Sequence, residues 1–221
     1  MTEGRGLSRR RWLVSLASVP ALALLVAAAP ETLPRRKGSF TYNRRDLKLR
    51  VSIPDILRSS DKQAMKILDG GYPTRLVYDF AVYAKGARAP RAVAHVEVSV
   101  QYDPWNQNYL VRTSVNGAAA TVRSYALRAD AIKASTNVSV EIAKIADMPR
   151  GEDQVHFVHV VAQRNPTQSK SGASGAAARG QDRDLEVFSR WVGMFVRSRP
   201  KADQVVEFRT HPFYVPVEGE D

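Results

Sequence analysis

Residues 92–122 alternate between apolar and polar positions for almost their whole length. In AVAHVEVSVQYDPWNQNYLVRTSVNGAAATV, Val96, Val98, Val100 and Tyr102 fall on one face, and His95, Glu97, Ser99 and Gln101 fall on the other. A period of two predicts a half-buried antiparallel strand. Asp103-Pro104 supplies the turn, with Asp at its first position and Pro presetting φ at its second. The alternation resumes at Tyr109, Val111, Thr113 and Val115, and a turn at Asn116-Gly117 leads into a third short strand over 118–122.

The same reading extends along the chain. A first strand is predicted over 39–53, carrying Phe40, Tyr42, Leu47, Leu49, Val51 and Ile53 until Pro54 stops it. Ser60-Asp61 then caps a helix through Leu68, which Gly70-Gly71 ends. A strong strand covers 74–84, with Leu76, Tyr78, Phe80 and Val82 on one face. Helix formers occupy 123–134, and strands return over 137–142 and 154–164. Residues 166–183, PTQSKSGASGAAARGQDR, are low in complexity and predict a mobile loop. Asp184 caps an amphipathic helix through Arg197 built on Leu185, Phe188, Val192 and Phe195, and a strand over 204–215 closes the chain.

This pattern predicts a mainly β fold: an antiparallel β-sandwich or curved sheet with two or three covering helices. Alternating strands argue against the continuous apolar runs of a parallel α/β core. With 221 residues the chain has room for one well-buried domain, assigned to 39–221 after a linker over 30–38.

The first 29 residues are of another kind. Arg9-Arg10-Arg11 stand before an apolar run over 12–29 rich in Leu, Ala and Val, the form of a secretory signal. Ser8, the pair Arg9-Arg10, and the hydrophobic Trp12 and Leu13 also resemble the twin-arginine export motif. Ala28 suits cleavage before Ala29, whereas Pro30 obstructs a cut one residue later. The alternative is an uncut membrane anchor, at the short edge for spanning and with Pro20 inside it. Either way the expected location is the periplasm or the outer face of a bacterial inner membrane.

Composition narrows the chemistry. No cysteine is present, which removes disulfides, thiolate metal sites and cysteine nucleophiles. The formal net charge is +11; residues 1–28 supply +3 of it, from Arg5, Arg9, Arg10 and Arg11 against Glu3, and +8 remains. Such an excess suits an anionic envelope component or simply a solvated basic surface. Nucleic acid is not expected, since Tyr42 beside Arg44 is too little aromatic interleaving for a nucleic-acid face.

The helix ending in Asp69-Gly70-Gly71-Tyr72-Pro73, the aromatic-rich strand over 75–83, and the strand ending in Val100-Gln101-Tyr102 before Asn108-Tyr109-Leu110-Val111 carry a likeness. Over about 45–165 the chain resembles a family of bacterial envelope proteins designated domain of unknown function 4390. The resemblance implies an exported, mainly β protein and carries over no active-site residue.

Candidate sites are few. His95 and Glu97 share a face two residues apart, a fragment of an acid–base or metal site that lacks the further ligands zinc needs. His156 and His159, three apart on a strand, point to opposite faces and cannot chelate one ion unless the strand bulges. No Gly-x-Ser-x-Gly elbow or phosphate-cradling loop is present. No catalytic residue, metal or cofactor is therefore assigned. Trp105 is the sharpest candidate, lying at the hairpin tip where burial is hard. Exposed, it would anchor a partner protein, a glycan or a membrane interface; the alternative is that it folds back over Tyr102 or Tyr109. Arg44, Arg45 and Arg50 supply a basic face. The expected function is a non-enzymatic binding or assembly module of the envelope that contacts an envelope protein or an anionic envelope component. Two alternatives are a periplasmic hydrolase-like enzyme using His95 and Glu97, and a peripheral inner-membrane protein binding anionic lipid, associated through residues 12–29.

Overall fold

The computed structural model describes residues 32–43, 45–167 and 201–217. Among these residues the alternating segments become ten strands: β1 Arg35–Arg36, β2 Ser39–Tyr42, β3 Asp46–Ser52, β4 Thr74–Ala84, β5 Ala92–Asp103, β6 Asn108–Val115, β7 Thr121–Tyr125, β8 Asn137–Lys144, β9 His156–Arg164 and β10 Gln204–Thr210. Among the described residues two α-helices join them, α1 Lys62–Asp69 and α2 Arg128–Thr136. Seven strands form one sheet in the order β1-β10-β9-β4-β5-β6-β7, and three form another in the order β2-β3-β8. Every pairing is antiparallel except β1 with β10. The mainly β, sandwich-like expectation matches this architecture.

The core lies between the sheets. Leu76, Tyr78, Phe80 and Val82 of β4, with Val96, Val98 and Val100 of β5, face Leu47, Leu49 and Val51 of β3 and Val138, Val140 and Ile142 of β8. The Tyr78 hydroxyl, deep in this layer, donates to the Ser135 carbonyl at 2.8 Å and so ties the large sheet to the last turn of α2. Burial pushes that phenol far above its ordinary range, so it stays a donor.

Several boundaries differ from the sequence reading, each for a local reason. The single strand over 39–53 is a hairpin, β2 against β3. The Asn43 side chain accepts from Arg45 N at 2.9 Å and Asp46 N at 2.5 Å, and Asn43 N donates to Asp46 O. An Asn that bonds its own following backbone reverses the chain. Part of the linker over 30–38 is a strand, because Arg35 and Arg36 find backbone partners along the open edge of β10. The helix over 123–134 starts later: Val122 to Tyr125 pair with β6, where Tyr125 stands opposite Tyr109. Cross-strand pairing has overridden helix propensity there. The strand over 204–215 stops at Thr210, Pro212 interrupts it, and Phe213 makes an isolated bridge to His156. The loop over 166–183 beyond Thr167, the helix over 184–197 and the leader with Arg9, Arg10, Trp12, Leu13 and Ala28 lie outside the described residues.

Helix α1 follows its sequence signals closely. Asp61 caps it by accepting from Ala64 N at 3.1 Å, and Gly70 stands at its C-cap. Gly71 takes φ +80°, and its carbonyl accepts from Gln101 Nε2 at 3.0 Å, which fastens the helix end to β5. Gly71→Ala is expected to cost about 1 kcal/mol through that left-handed φ, read as a drop in the chemical-denaturation midpoint.

His156 is fully buried at the start of β9 beside Phe213, with ring centroids 5.7 Å apart. Its Nε2–H donates to the Pro149 carbonyl at 3.2 Å, while Nδ1 is buried with no partner among the described residues. Burial therefore holds its pKa below the ordinary value near 6.5. Above that value the ring is neutral folded and unfolded, and its full contribution to stability is present. As pH falls below it, the unfolded chain takes up the proton first and stability drops by at most about 1.4 kcal/mol per pH unit. Melting curves between pH 7.5 and 5 should show a steeper acid decline than those of His156→Gln.

Candidate contact site at the aromatic end

β5 and β6 run past β4, since Thr74 pairs with Val100 and leaves Tyr102 and Asp103 beyond it. Their hairpin projects from the end of the sandwich. The tip is stiffened by Asp103, whose carboxylate accepts from Trp105 N at 3.0 Å, Asn106 N at 3.3 Å and Asn106 Nδ2 at 2.8 Å. These bonds hold the Asp103 carboxyl below its usual range, Asn106 being the chief cause. Pro104 fixes one more torsion. Trp105 stands on this tip 93 % exposed.

Its indole does not fold back. Tyr102 and Tyr109, opposite each other across the hairpin, pack on one another instead, with ring centroids 4.9 Å apart. The Tyr109 hydroxyl donates to Asp69 Oδ1 at 3.0 Å, and Arg128 reaches the other oxygen of the same carboxylate at 2.5 Å. The last turn of α1, the first of α2 and the hairpin base are thus joined through one acid. Tyr72, in the segment that Gln101 fastens to β5, is 67 % exposed, and Leu127 is also exposed. Sequence reasoning missed Tyr72 and Leu127; the Gly71-Tyr72 step, which presents a tyrosine just past a left-handed glycine, was the available signal.

The basic residues stand elsewhere. Arg50 is exposed on the outer surface of the small sheet, between Ser39 of β2 and Ser139 of β8. Arg45 lies at the end of the sandwich away from Trp105: its carbonyl accepts from Ile145 N, just ahead of the Pro149 that bonds His156 at the start of β9. Arg44 lies outside the described residues. The structure therefore separates Arg45 and Arg50 from Trp105, Tyr102 and Tyr109. Arg36 of β1 is ion-paired with Asp55 at 2.7 Å and sits over the Phe208 ring.

His95 and Glu97 keep their shared face on β5, but each has its own partner on β4. His95 Nδ1 lies 2.6 Å from Asp79 Oδ1, directly across the strand pair. Glu97 receives Arg75 Nε at 2.7 Å and Nη2 at 2.9 Å. That fork holds the Glu97 carboxyl below its ordinary range, so it is a carboxylate and not a proton donor near neutrality. Ser114, opposite Glu97 on β6, donates its hydroxyl to the Ala118 carbonyl. The two groups form separate cross-strand pairs. Asp79 and Arg75 were not singled out from the sequence, although their parity in the strand over 74–84 places them on the non-core face. Among the described residues, no group of three or more His, Asp or Glu could hold a metal ion, and no helix is long and apolar enough to cross a membrane.

Comparison of the chain with protein families, curated proteins and solved structures finds no match.

Proposed function

We propose that this chain is a non-enzymatic binding module of a bacterial cell envelope, exported by residues 1–29 and acting in the periplasm or on the outer face of the inner membrane. The observation that supports this most is the Trp105 side chain, almost wholly exposed on a hairpin tip made rigid by Asp103. A large apolar ring left almost wholly exposed on a stiff support has the form of an interface anchor. The exposed Tyr72 and the tilted Tyr102–Tyr109 pair of the same hairpin extend the aromatic surface. The partner is an envelope protein; the exposed Arg50 face and Arg45 offer a second contact for an anionic envelope component. Separation of His95 from Glu97 by their private partners favours contact over hydrolysis.

A photo-reactive amino acid in place of Trp105, introduced into the full chain in living cells, tests this reading. The expected product is a discrete cross-linked species in the envelope fraction, together with a chain whose intact mass lacks residues 1–28. A full-length chain that stays in the cytosol, or a tip that yields no adduct while one at Arg50 does, would sink it.

A further inference from the structure

The large sheet is buried on its outer face as well as its inner one. Val77, Ala81 and Tyr83 of β4 and Phe157, Val161 and Gln163 of β9 have the opposite parity to the inter-sheet core, yet none is more than 6 % exposed. Ala81, Tyr83 and Phe157, with Val93 of β5 against them, form an apolar cluster separate from that core. The Tyr83 and Phe157 rings stack with centroids 5.6 Å apart. Strands buried on both sides belong to a middle layer. Among the described residues, the elements that pack broadly on β4 and β9 from outside their own sheet are β8 and residues 54–56, and both lie on the inner side, with Ile56 inside the inter-sheet core. A sheet does not bury its own outward side chains this fully, so a further segment lies across them.

The chain supplies a segment of the right length in the right place. β9 and β10 are neighbours whose ladder begins with Arg164 opposite Gln204, and beyond it Thr167 N donates to the Lys201 carbonyl at 2.7 Å. A tight turn would close that hairpin, but residues 168–200 leave from this end of the sheet and return to it. Within that span Leu185, Phe188, Val192 and Phe195 recur at three- and four-residue steps with Trp191 on the same side, while Glu186, Ser189, Arg190 and Arg197 share the other. A helix over 184–197 is about 21 Å long, and the three residues after it add about 10 Å. Together they match the roughly 30 Å that β9 covers, and residues 168–183 are ample to reach the far end of the sheet first. The face is also fit for an apolar cover. Its ionisable groups already hold partners: Asp79 with His95, Glu97 with Arg75, and Glu207 with His159 at 2.9 Å.

We infer that residues 184–197 form an amphipathic helix whose apolar side docks on the outer face of β4 and β9, making the large sheet the middle of three layers. This docking is intramolecular and stands independently of the Trp105 surface.

The chain has no cysteine, so introduced thiols report without background. In the full chain, Val161→Cys is paired in turn with Phe188→Cys, Val192→Cys and Phe195→Cys, and with Arg190→Cys as the control. Mild oxidation should close an intrachain disulfide in at least one of the first three pairs, located by peptide mapping, and not in the control. In a second measurement, Ala81→Cys should be protected from a maleimide in the otherwise unchanged chain. It should react about a hundredfold faster once Phe188, Val192 and Phe195 are all replaced by Ser. Ala94→Cys, on the inner face of β5, should stay protected in both backgrounds. If Ala94→Cys also becomes reactive, the triple variant has lost its fold and the disulfide mapping alone decides. The inference is overturned if none of the three pairs closes, if Val161→Cys instead links to Leu16→Cys or Leu24→Cys of the leader or only to a second copy, or if the triple variant leaves both Ala81→Cys and Ala94→Cys protected.

Discussion

Trp105→Ala is expected to weaken capture of the envelope partner about thirtyfold or more and to leave the thermal midpoint unchanged. The first half follows from what an anchor aromatic contributes: truncating a residue of this kind at the centre of an interface costs at least about 2 kcal/mol, and 1.4 kcal/mol is about a factor of ten in affinity. The second half follows from the fold. The indole is 93 % exposed, and its residue serves the tip only through a backbone N–H to Asp103, which alanine keeps. Exposed substitutions away from caps and special torsions stay within about 0.5 kcal/mol. Trp105→Phe should retain part of the affinity, because the ring face survives. Quantitative binding of the purified variants to the cross-linked partner measures both. Equal affinity of Trp105→Ala and the parent would remove the tip from the interface.

The largest loss of stability is expected from Phe80→Ala, about 3–5 kcal/mol. Phe80 is fully buried at mid-strand of β4, and its neighbours across the sheet are Ala94 of β5 and Val160 of β9. Neither is large enough to move into the space the ring leaves, and both are fixed by backbone pairing on either side. The cavity therefore persists, and its cost adds to the lost transfer free energy. For a domain of this size, such a loss corresponds to a fall in melting temperature of about 6–20 °C. A drop of only a degree or two would mean that the two sheets are not packed through this ring.

What could be read from the sequence was the part in which each residue's role depends on near neighbours. β4 covers the same Thr74–Ala84 range that its alternation marks, and α1 begins one residue after the Asp61 that caps it. Edges were harder. The β2–β3 turn was signalled by the polar run Asn43-Arg44-Arg45-Asp46, across which the apolar positions change parity from Phe40 and Tyr42 to Leu47, Leu49 and Val51, and reading one strand through it passed over that break. β1 exists because β10, from the far end of the chain, offers free backbone groups, and nothing local in Arg35–Arg36 encodes that; β7 was announced by the Asn116-Gly117 turn, but its run on to Tyr125 depends on the register against β6. The same limit governed the site. Exposure of Trp105 was suggested by its turn, but the pairing of His95 with Asp79 and of Glu97 with Arg75 required the register of β4 against β5.

Asp61 has a consequence beyond capping. One of its carboxylate oxygens holds the start of α1 and the other holds the Arg164 guanidinium, so a single side chain serves as the shared latch of two distant segments. Neither segment can open without stressing the other. Amide exchange at Ala64 and Met65 should therefore proceed through the same opening event as exchange at Asn165, with a common rate, and Asp61→Asn should uncouple them.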